Sequence, residues 1–231
     1  MNKVEHTKLN NNSAQNYYGY NQPREYNVGF FPHKSGVYKI EIDSAIESVS
    51  QFSTAIQVLD MAKEDDQVEI HLSCCPGGSV DAGDTFIHSM KKCAAPIHII
   101  ASGGTHSMAT QILMCADSFE LSDSFNSLIH AGQDGSYGTV PEYHAKSAFD
   151  LEFRTRKFKE AYKHFLTDAE IENVLKGQDL WLGGKAWYER AAKASELYKA
   201  EYEAIMNPVQ VKVSKPRTKK PLTLLPENKA A

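Results

Sequence analysis

The sequence lacks the features of a membrane-bound or exported protein. No apolar run approaches the roughly 20 residues that cross a bilayer, and the Asn- and Tyr-rich N-terminal stretch has no apolar signal core. Only four of the 231 residues are cysteine, and no CxxC pair accompanies spaced histidines. The sequence therefore predicts no membrane partner, no disulfide framework, no metal site or other cofactor, and a reducing, cytoplasmic compartment.

An excess of charge of one sign and a nucleotide-binding loop are also missing. The 25 basic and 29 acidic side chains leave a formal net charge of −4, which provides no basic field to attract nucleic acid. No Walker-type glycine-lysine loop is present, so the sequence shows no ATP-driven motor. What the chain does contain, 42% hydrophobic and 23% charged residues, suits one globular domain with polar ends.

The chain divides into three parts by composition. Residues 1–35 are polar, follow no sustained period and are interpreted as an irregular N-terminal extension. Residues 36–207 carry strand and helix patterns and form the predicted domain. Residues 208–231 are rich in lysine and proline, which predicts a basic, disordered tail.

Strand patterns alternate with helix patterns through the predicted domain. Strands are predicted at 37–42, 67–72, 97–101, 118–121 and 126–130. Helices are predicted at about 46–63, 80–93, 108–115, 140–166 and 167–177, the first of them starting at a capping-box pattern at 44–47, and a final helix begins with 185–194. Residues 179–184 are interpreted as a turn. This alternation is typical of an α/β fold.

Ser107 stands at a predicted strand-to-helix turn. The strand at 97–101 and a turn of small residues precede it, and the buried helix at 108–115 follows. There its hydroxyl can project beside the free N–H groups and positive dipole end of the helix. Because a carbonyl attacked by the serine develops an oxyanion that such N–H groups can hold, the position suits an acyl-transfer nucleophile. A simple helix cap is the alternative role for this serine.

A base and an orienting carboxylate can be sought among the other residues that acyl transfer requires. Of the nine histidines, His130 ends a predicted strand and enters a Gly-rich loop, where catalytic groups are often presented. His106 is adjacent to Ser107 and is a weaker candidate for lining the site. Asp179 precedes an aromatic-apolar step, Trp181-Leu182, that would shield a carboxylate and let it hold an imidazole tautomer.

Four motifs in order resemble the Clp protease proteolytic subunit. They are PGGSV at 76–80, Ser-Met at 107–108, Ile-His at 129–130 and Asp-Leu-Trp-Leu at 179–182. The resemblance covers about residues 37–195. It implies that Ser107 is the nucleophile, His130 the base and Asp179 the orienting carboxylate.

The resemblance also implies an oxyanion hole and a substrate-binding turn. The donors would be the backbone N–H groups of Gly78 and Met108, with Gly77 in the same turn. Because glycine has no side chain, we expect a substrate carbonyl to approach Gly78 closely.

The fold implied by the resemblance is a ClpP/crotonase-like α/β fold of repeated ββα units with a protruding handle helix, here at about 140–166. The expected function is that of a serine endopeptidase, a hydrolase that cleaves unfolded polypeptides through an acyl-enzyme. The resemblance further implies homo-oligomeric rings that enclose the active sites, and an AAA+ unfoldase as a candidate partner.

The sequence departs from the family pattern around these motifs. His106, Ala109, Ala131-Gly132 and Gly183 stand where the family has alanine, glycine, glutamine-proline and serine. Divergence of this kind resembles the Clp-like proteases encoded by some phages. Two alternatives stay open: a catalytically inactive, ring-forming assembly subunit, and a crotonase-like acyl-transfer enzyme.

Overall fold

The computed structural model describes residues 25–31, 36–133 and 138–206. In this part of the chain one sheet has the strand order β1-β2-β3-β4-β6-β7, with β5 also paired to β4. The strands are β1 (Val28–Phe31), β2 (Val37–Ile42), β3 (Gln67–Cys75), β4 (Ile97–His106), β5 (Ser118–Leu121), β6 (Asn126–Ile129) and β7 (Leu180–Gly183). The helices are α1 (Ser53–Met61), α2 (Val80–Lys92), α3 (Met108–Met114), α4 (Val140–Ala161), α5 (Asp168–Leu175) and α6 (Gly184–Met206).

The sheet is parallel from β2 to β6 and antiparallel at its two edges. Because side chains alternate along a strand, Val68, Ile70 and Leu72 of β3 all point to one face, and all three are fully buried. On that face Phe52 and Phe86 stack with ring centroids 4.3 Å apart in the same core. The predicted α/β architecture is confirmed.

The irregular extension predicted for residues 1–35 needs correction at its C-terminal end. Strand β1 pairs antiparallel with β2, and Tyr26 is buried against Phe52 with ring centroids 4.9 Å apart. The burial of an aromatic ring and a ladder of hydrogen bonds therefore order residues that have no clear periodicity. Residues 1–24 of the extension and the whole predicted tail lie outside the described residues.

The capping box predicted at 44–47 is wrong. Ile46 forms an isolated parallel bridge with Gly78 instead of starting a helix. The same pattern recurs four residues later, where the Gln51 side chain accepts hydrogen bonds from Glu47 N–H at 2.6 Å and Ser48 N–H at 3.0 Å. A 3₁₀ turn at Val49–Phe52 then leads into α1.

The C-terminal part of the domain differs from its prediction in one element. The predicted turn at 179–184 contains β7, whose antiparallel pairing with β6 satisfies the hydrogen bonds of its backbone. This difference depends on a partner distant in sequence. The final helix predicted to begin at 185–194 is α6, and Tyr198 O–H anchors it by donating to Lys163 O at 2.9 Å.

Helix α4 occupies the position of the predicted handle. Of its described residues only Phe158 is buried, while Phe149 and Phe153 stack on each other at the surface. Within the described ranges, none of the helices combines the length and the hydropathy of a membrane span.

Candidate active site

Ser107 forms a sharp junction between β4 and α3. Its backbone has φ 54° and ψ −123°, a left-handed conformation that costs a residue other than glycine about 1–3 kcal/mol. Such strand-turn-helix elbows lift a nucleophile's hydroxyl clear of the sheet. Although Ser107 occupies the N-cap position of α3, its side chain makes no capping hydrogen bond. Helix capping therefore does not account for this serine.

Both backbone polar groups of Ser107 are held by neighbours. Its N–H donates to Leu128 O at 2.7 Å, and its C=O accepts from the N–H of Thr110 at 3.0 Å and from the Thr110 hydroxyl at 2.6 Å. These bonds fix a conformation that would otherwise relax. The bond to Leu128 also ties the serine to β6, the strand that ends one residue before His130.

Ser107 and His130 line the same cavity, whose volume is about 230 Å³. Met108, Phe158 and Tyr162 contribute apolar surface to its wall. An ion pair between Lys157 Nζ and Asp84 Oδ2, 3.3 Å apart, joins α4 to α2 beside it. Within the described part of the chain, no hydrogen bond joins Ser107 to His130.

The β6–β7 ladder ends beside two of the predicted triad residues. Its last pair is Ile129 with Leu180, and His130 and Asp179 are the next residues in the sequence beyond that pair. Asp179 is exposed, and no hydrogen bond joins it to His130 among the described residues. Ser107 and His130 therefore share a cavity, while Asp179 is not among the residues that line it.

The two turn glycines face different neighbours. A Cβ added at Gly77, where φ is 82°, would lie 2.7 Å from the Ser107 Cβ and 2.8 Å from the Met108 backbone nitrogen. A Cβ added at Gly78, where φ is 143°, would lie 2.1 Å from Ile46 O. The expectation that Gly78 lacks a side chain to admit a substrate needs correction, since that space is filled by Ile46. Gly77 is the residue that packs against the serine.

The bridge to Ile46 nevertheless aims the Gly78 amide outward. Ile46 N–H donates to Gly77 O at 2.8 Å, and Ser79 N–H donates to Ile46 O at 2.6 Å. In a parallel bridge of this pattern the middle residue, Gly78, directs its own N–H and C=O away from Ile46.

His106 is not brought into the site. Its Nε2 lies 2.9 Å from Asn126 Oδ1, and its ring contacts Trp181 edge-on at 5.4 Å. As the last residue of β4 it points along the sheet toward β6 and β7, away from the cavity.

The titratable groups that ligate metals are dispersed. In residues 25–31, 36–133 and 138–206, no three of His, Cys, Asp and Glu are placed to hold a metal ion. The four cysteines are free thiols. Burial raises the pKa of Cys75 to about 11 and also raises the pKa of Cys115, so neither is a thiolate nucleophile at neutral pH.

Comparison with known families assigns the domain. The family model of Clp protease matches residues 37–179. The chain belongs to the Clp protease family. In the Clp protease domain the match starts at the first residue of β2 and ends on Asp179, so it includes both turn glycines, Ser107 and His130. The predicted ClpP/crotonase-like fold is thereby confirmed. A comparison with curated proteins finds no match.

Membership of the family indicates the general class of function. Clp proteases are peptidases, and their members typically form oligomeric rings. The matched region includes β2 to α5, and β7 and α6 follow it in the sequence.

Proposed function

We propose that this protein is a serine endopeptidase in which Ser107 is the nucleophile, His130 the general base and Asp179 the group that orients His130. The observation that carries the proposal is the strained, uncapped Ser107 on the wall of the cavity that His130 also lines. A capping serine adopts an extended conformation and bonds to the helix, so a purely structural role leaves both features unexplained.

The reaction follows from these positions. His130 removes the proton of Ser107 Oγ as the oxygen attacks a peptide carbonyl carbon. His130 then gives the proton to the leaving amine while the C–N bond breaks, which leaves an acyl-enzyme. Water, deprotonated by His130, hydrolyses the ester and restores Ser107. Asp179 would hold the imidazole in the tautomer that accepts the serine proton.

The oxyanion would be held by the N–H groups of Met108 and Gly78. Met108 is the first residue of α3, and the first N–H groups of a helix have no partner within it. The Gly77-Gly78 turn lies against Met108 N, and the Gly78 amide points away from Ile46. An extended substrate could pair with this turn through main-chain hydrogen bonds, as an added strand.

The substrate class and assembly follow from the same family. Unfolded polypeptide would enter a chamber formed by homo-oligomeric rings in the cytoplasm, delivered by an AAA+ unfoldase. The exposed, stacked Phe149 and Phe153 on α4 support an interface with another copy, since an isolated helix seldom exposes such rings.

A second candidate is an inactive assembly subunit. The observation that favours it is the solvated Asp179, which makes no hydrogen bond to His130 within the described residues. In that case the chain would form rings and process no peptide. Hydrogen bonds of catalytic groups are often long before substrate binds, which favours the peptidase over this candidate.

A fluorophosphonate probe distinguishes the two. The full-length protein is treated with the probe, and the modified residue is mapped by mass spectrometry. We expect modification at Ser107, no modification in Ser107→Ala, and a loss of peptide turnover on the order of 10⁶ in that variant. Ser102→Ala, in the middle of β4, is the control and should label normally. Modification at Ser102 or Ser79 would contradict the assignment, and a ring without any modification would support the assembly subunit.

A further inference from the structure

A buried chain of hydroxyl groups ends on the carbonyl of Ser107. Thr110 Oγ1 lies 2.6 Å from Ser107 O and 2.6 Å from the phenol oxygen of Tyr162. Thr110 is 0% exposed and Tyr162 is 1% exposed. Thr110 belongs to α3, and Tyr162 is the C-cap residue of α4, 52 positions later in the sequence. The chain therefore connects the end of α4 to the candidate nucleophile.

The direction of these bonds is determined by the number of protons. A carbonyl oxygen can only accept, so the single hydroxyl proton of Thr110 is used toward Ser107 O. Tyr162 must then donate its own proton to Thr110 Oγ1. Burial raises the pKa of Tyr162, so the phenol keeps that proton. The bonds run from Tyr162 to Thr110 to Ser107, all in one direction.

The hydroxyl chain ends on a peptide group that takes part in the proposed reaction. The Ser107 C=O and the Met108 N–H belong to one planar, trans peptide unit and point in opposite directions. A donor that holds the carbonyl on one side therefore aims the N–H on the other side. Hydrogen bonds in series also polarise one another, which makes an amide N–H a stronger donor when its carbonyl accepts.

We infer that Thr110 and Tyr162 are positioning residues that aim and polarise the Met108 N–H as an oxyanion donor. The inference rests on the proposed function, since it needs the reaction to develop an oxyanion beside Ser107. Neither side chain touches the reacting atoms. Both act through the peptide unit that joins Ser107 to Met108.

Packing alone does not account for the two hydroxyls. Valine at 110 and phenylalanine at 162 would fill nearly the same volume without burying polar groups, and an apolar pair of equal shape is often no less stable. The Ser107 carbonyl already accepts the Thr110 N–H at 3.0 Å, so the hydroxyl is not needed to satisfy it. The hydroxyl chain adds orientation to a peptide whose φ is strained.

Four variants separate orientation from packing. Thr110→Val removes both bonds of the hydroxyl chain, Tyr162→Phe removes the outer one, and Thr110→Ser restores the hydroxyl at position 110. Tyr188→Phe is the control, since it removes a phenol that accepts from Leu121 N–H at 3.0 Å, and neither residue lines the cavity. Each full-length variant is measured for its rate of fluorophosphonate labelling, its kcat and KM on a short peptide, and its melting temperature. All rates are taken well below every melting temperature.

We expect Thr110→Val and Tyr162→Phe each to lower the labelling rate and kcat about tenfold with KM unchanged, a fraction of the roughly 10²–10³ lost with a whole oxyanion donor. Thr110→Ser should keep the rate of the original protein while losing melting temperature, because it deletes a buried methyl group. The double variant Thr110→Val/Tyr162→Phe should lose no more than the larger single loss, since the two groups act in series. Tyr188→Phe should label normally.

The outcomes distinguish this inference from the proposed function. A labelled original protein whose Thr110→Val and Tyr162→Phe variants react at the same rate would overturn the inference alone. So would rates that follow melting temperature across the series, with Thr110→Ser as slow as Thr110→Val. If the original protein is not labelled at all, the proposed function fails and the inference fails with it. If Thr110→Val does not fold, Tyr162→Phe, which removes one oxygen atom, decides.

Discussion

Ser107 has a backbone conformation that only glycine adopts without strain, with φ 54°. We expect Ser107→Gly to be more stable than Ser107→Ala by about 1 kcal/mol, because glycine releases strain that alanine retains. The free energy of unfolding in denaturant measures the difference. Both variants should be inactive, so stability and catalysis are read separately at one position.

The variants Ser102→Gly and Ser102→Ala test the sign of this difference in stability. Ser102 lies within β4, paired with Ser73, where glycine costs about 0.5–1 kcal/mol relative to alanine. The order of the two variants should therefore reverse between positions 102 and 107. If alanine is the more stable residue at both positions, Ser107 carries no backbone strain.

Sequence patterns predict the position of some single residues and miss the contacts of others. The position of Ser107 between a strand and a buried helix follows from apolar periodicity alone, and the structure has it there. Thr110 and Tyr162 could not be predicted as partners, because a buried helical threonine and a helical tyrosine read only as core residues. The catalytic roles of Ser107, His130 and Asp179 stay predictions.

Helices α5 and α6 are joined by a two-pronged ion pair. Arg190 donates to the two carboxylate oxygens of Glu170 at 2.9 and 2.6 Å, and Thr167 N–H donates to the same carboxylate at 2.9 Å. The hydrogen bonds from Arg190, with Thr167 adding to them, lower the pKa of Glu170 from 4.5 to about 2. The folded protein therefore favours the charged carboxylate more than the unfolded chain does.

The pH dependence of this pair has a defined sign. Because the folded pKa is lowered, the stabilisation is fully present above the unfolded value of 4.5 and is lost as pH falls toward 2. Since the pair is partly exposed and screened by solvent, it is worth about 1–2 kcal/mol at neutral pH. The unfolding free energies of the original protein and Glu170→Gln should differ by this amount at pH 7 and converge between pH 4.5 and 2. A difference that stays constant over that window would rule out titration of Glu170 as its source.

Elements with their own periodicity were predictable, and elements defined by partners were not. Helix α2 was predicted within one residue of its end because its apolar stripe and the caps at both ends coincide. Strands β1 and β7 were missed because their residues do not alternate between apolar and polar, and each is defined by antiparallel pairing with a neighbouring strand.

The whole molecule is expected to work as a ring that needs help with folded substrates. A short fluorogenic peptide should be cleaved without nucleotide, while a stably folded protein should survive unless an unfoldase is added. Sedimentation velocity establishes the particle mass first, and digestion of both substrates without ATP follows. Rapid cleavage of the folded protein without prior unfolding would show that the active sites are open to solvent.

The surface of α4 offers a variant that tests the assembly itself. Phe149→Ser combined with Phe153→Ser removes two stacked, exposed rings. The melting temperature of a dissociated subunit should hardly change, while the particle mass should fall. An unchanged mass would place the contact between copies elsewhere. The basic tail and the extension, outside the described residues, could then be tested as contacts.

The left-handed conformation of Cys74 changes which residues of β3 face the core. Up to Leu72 the even-numbered residues of this strand are buried, but past Cys74, where φ is 54°, it is the odd-numbered Cys75 that is buried. Beyond the end of β3, Gly77 faces Ser107 and Gly78 faces Ile46. The spacing between a glycine motif and a serine therefore does not by itself decide which glycine meets the nucleophile. Two relatives with identical motif spacing, one of them without this inversion, would present opposite glycines to their serines.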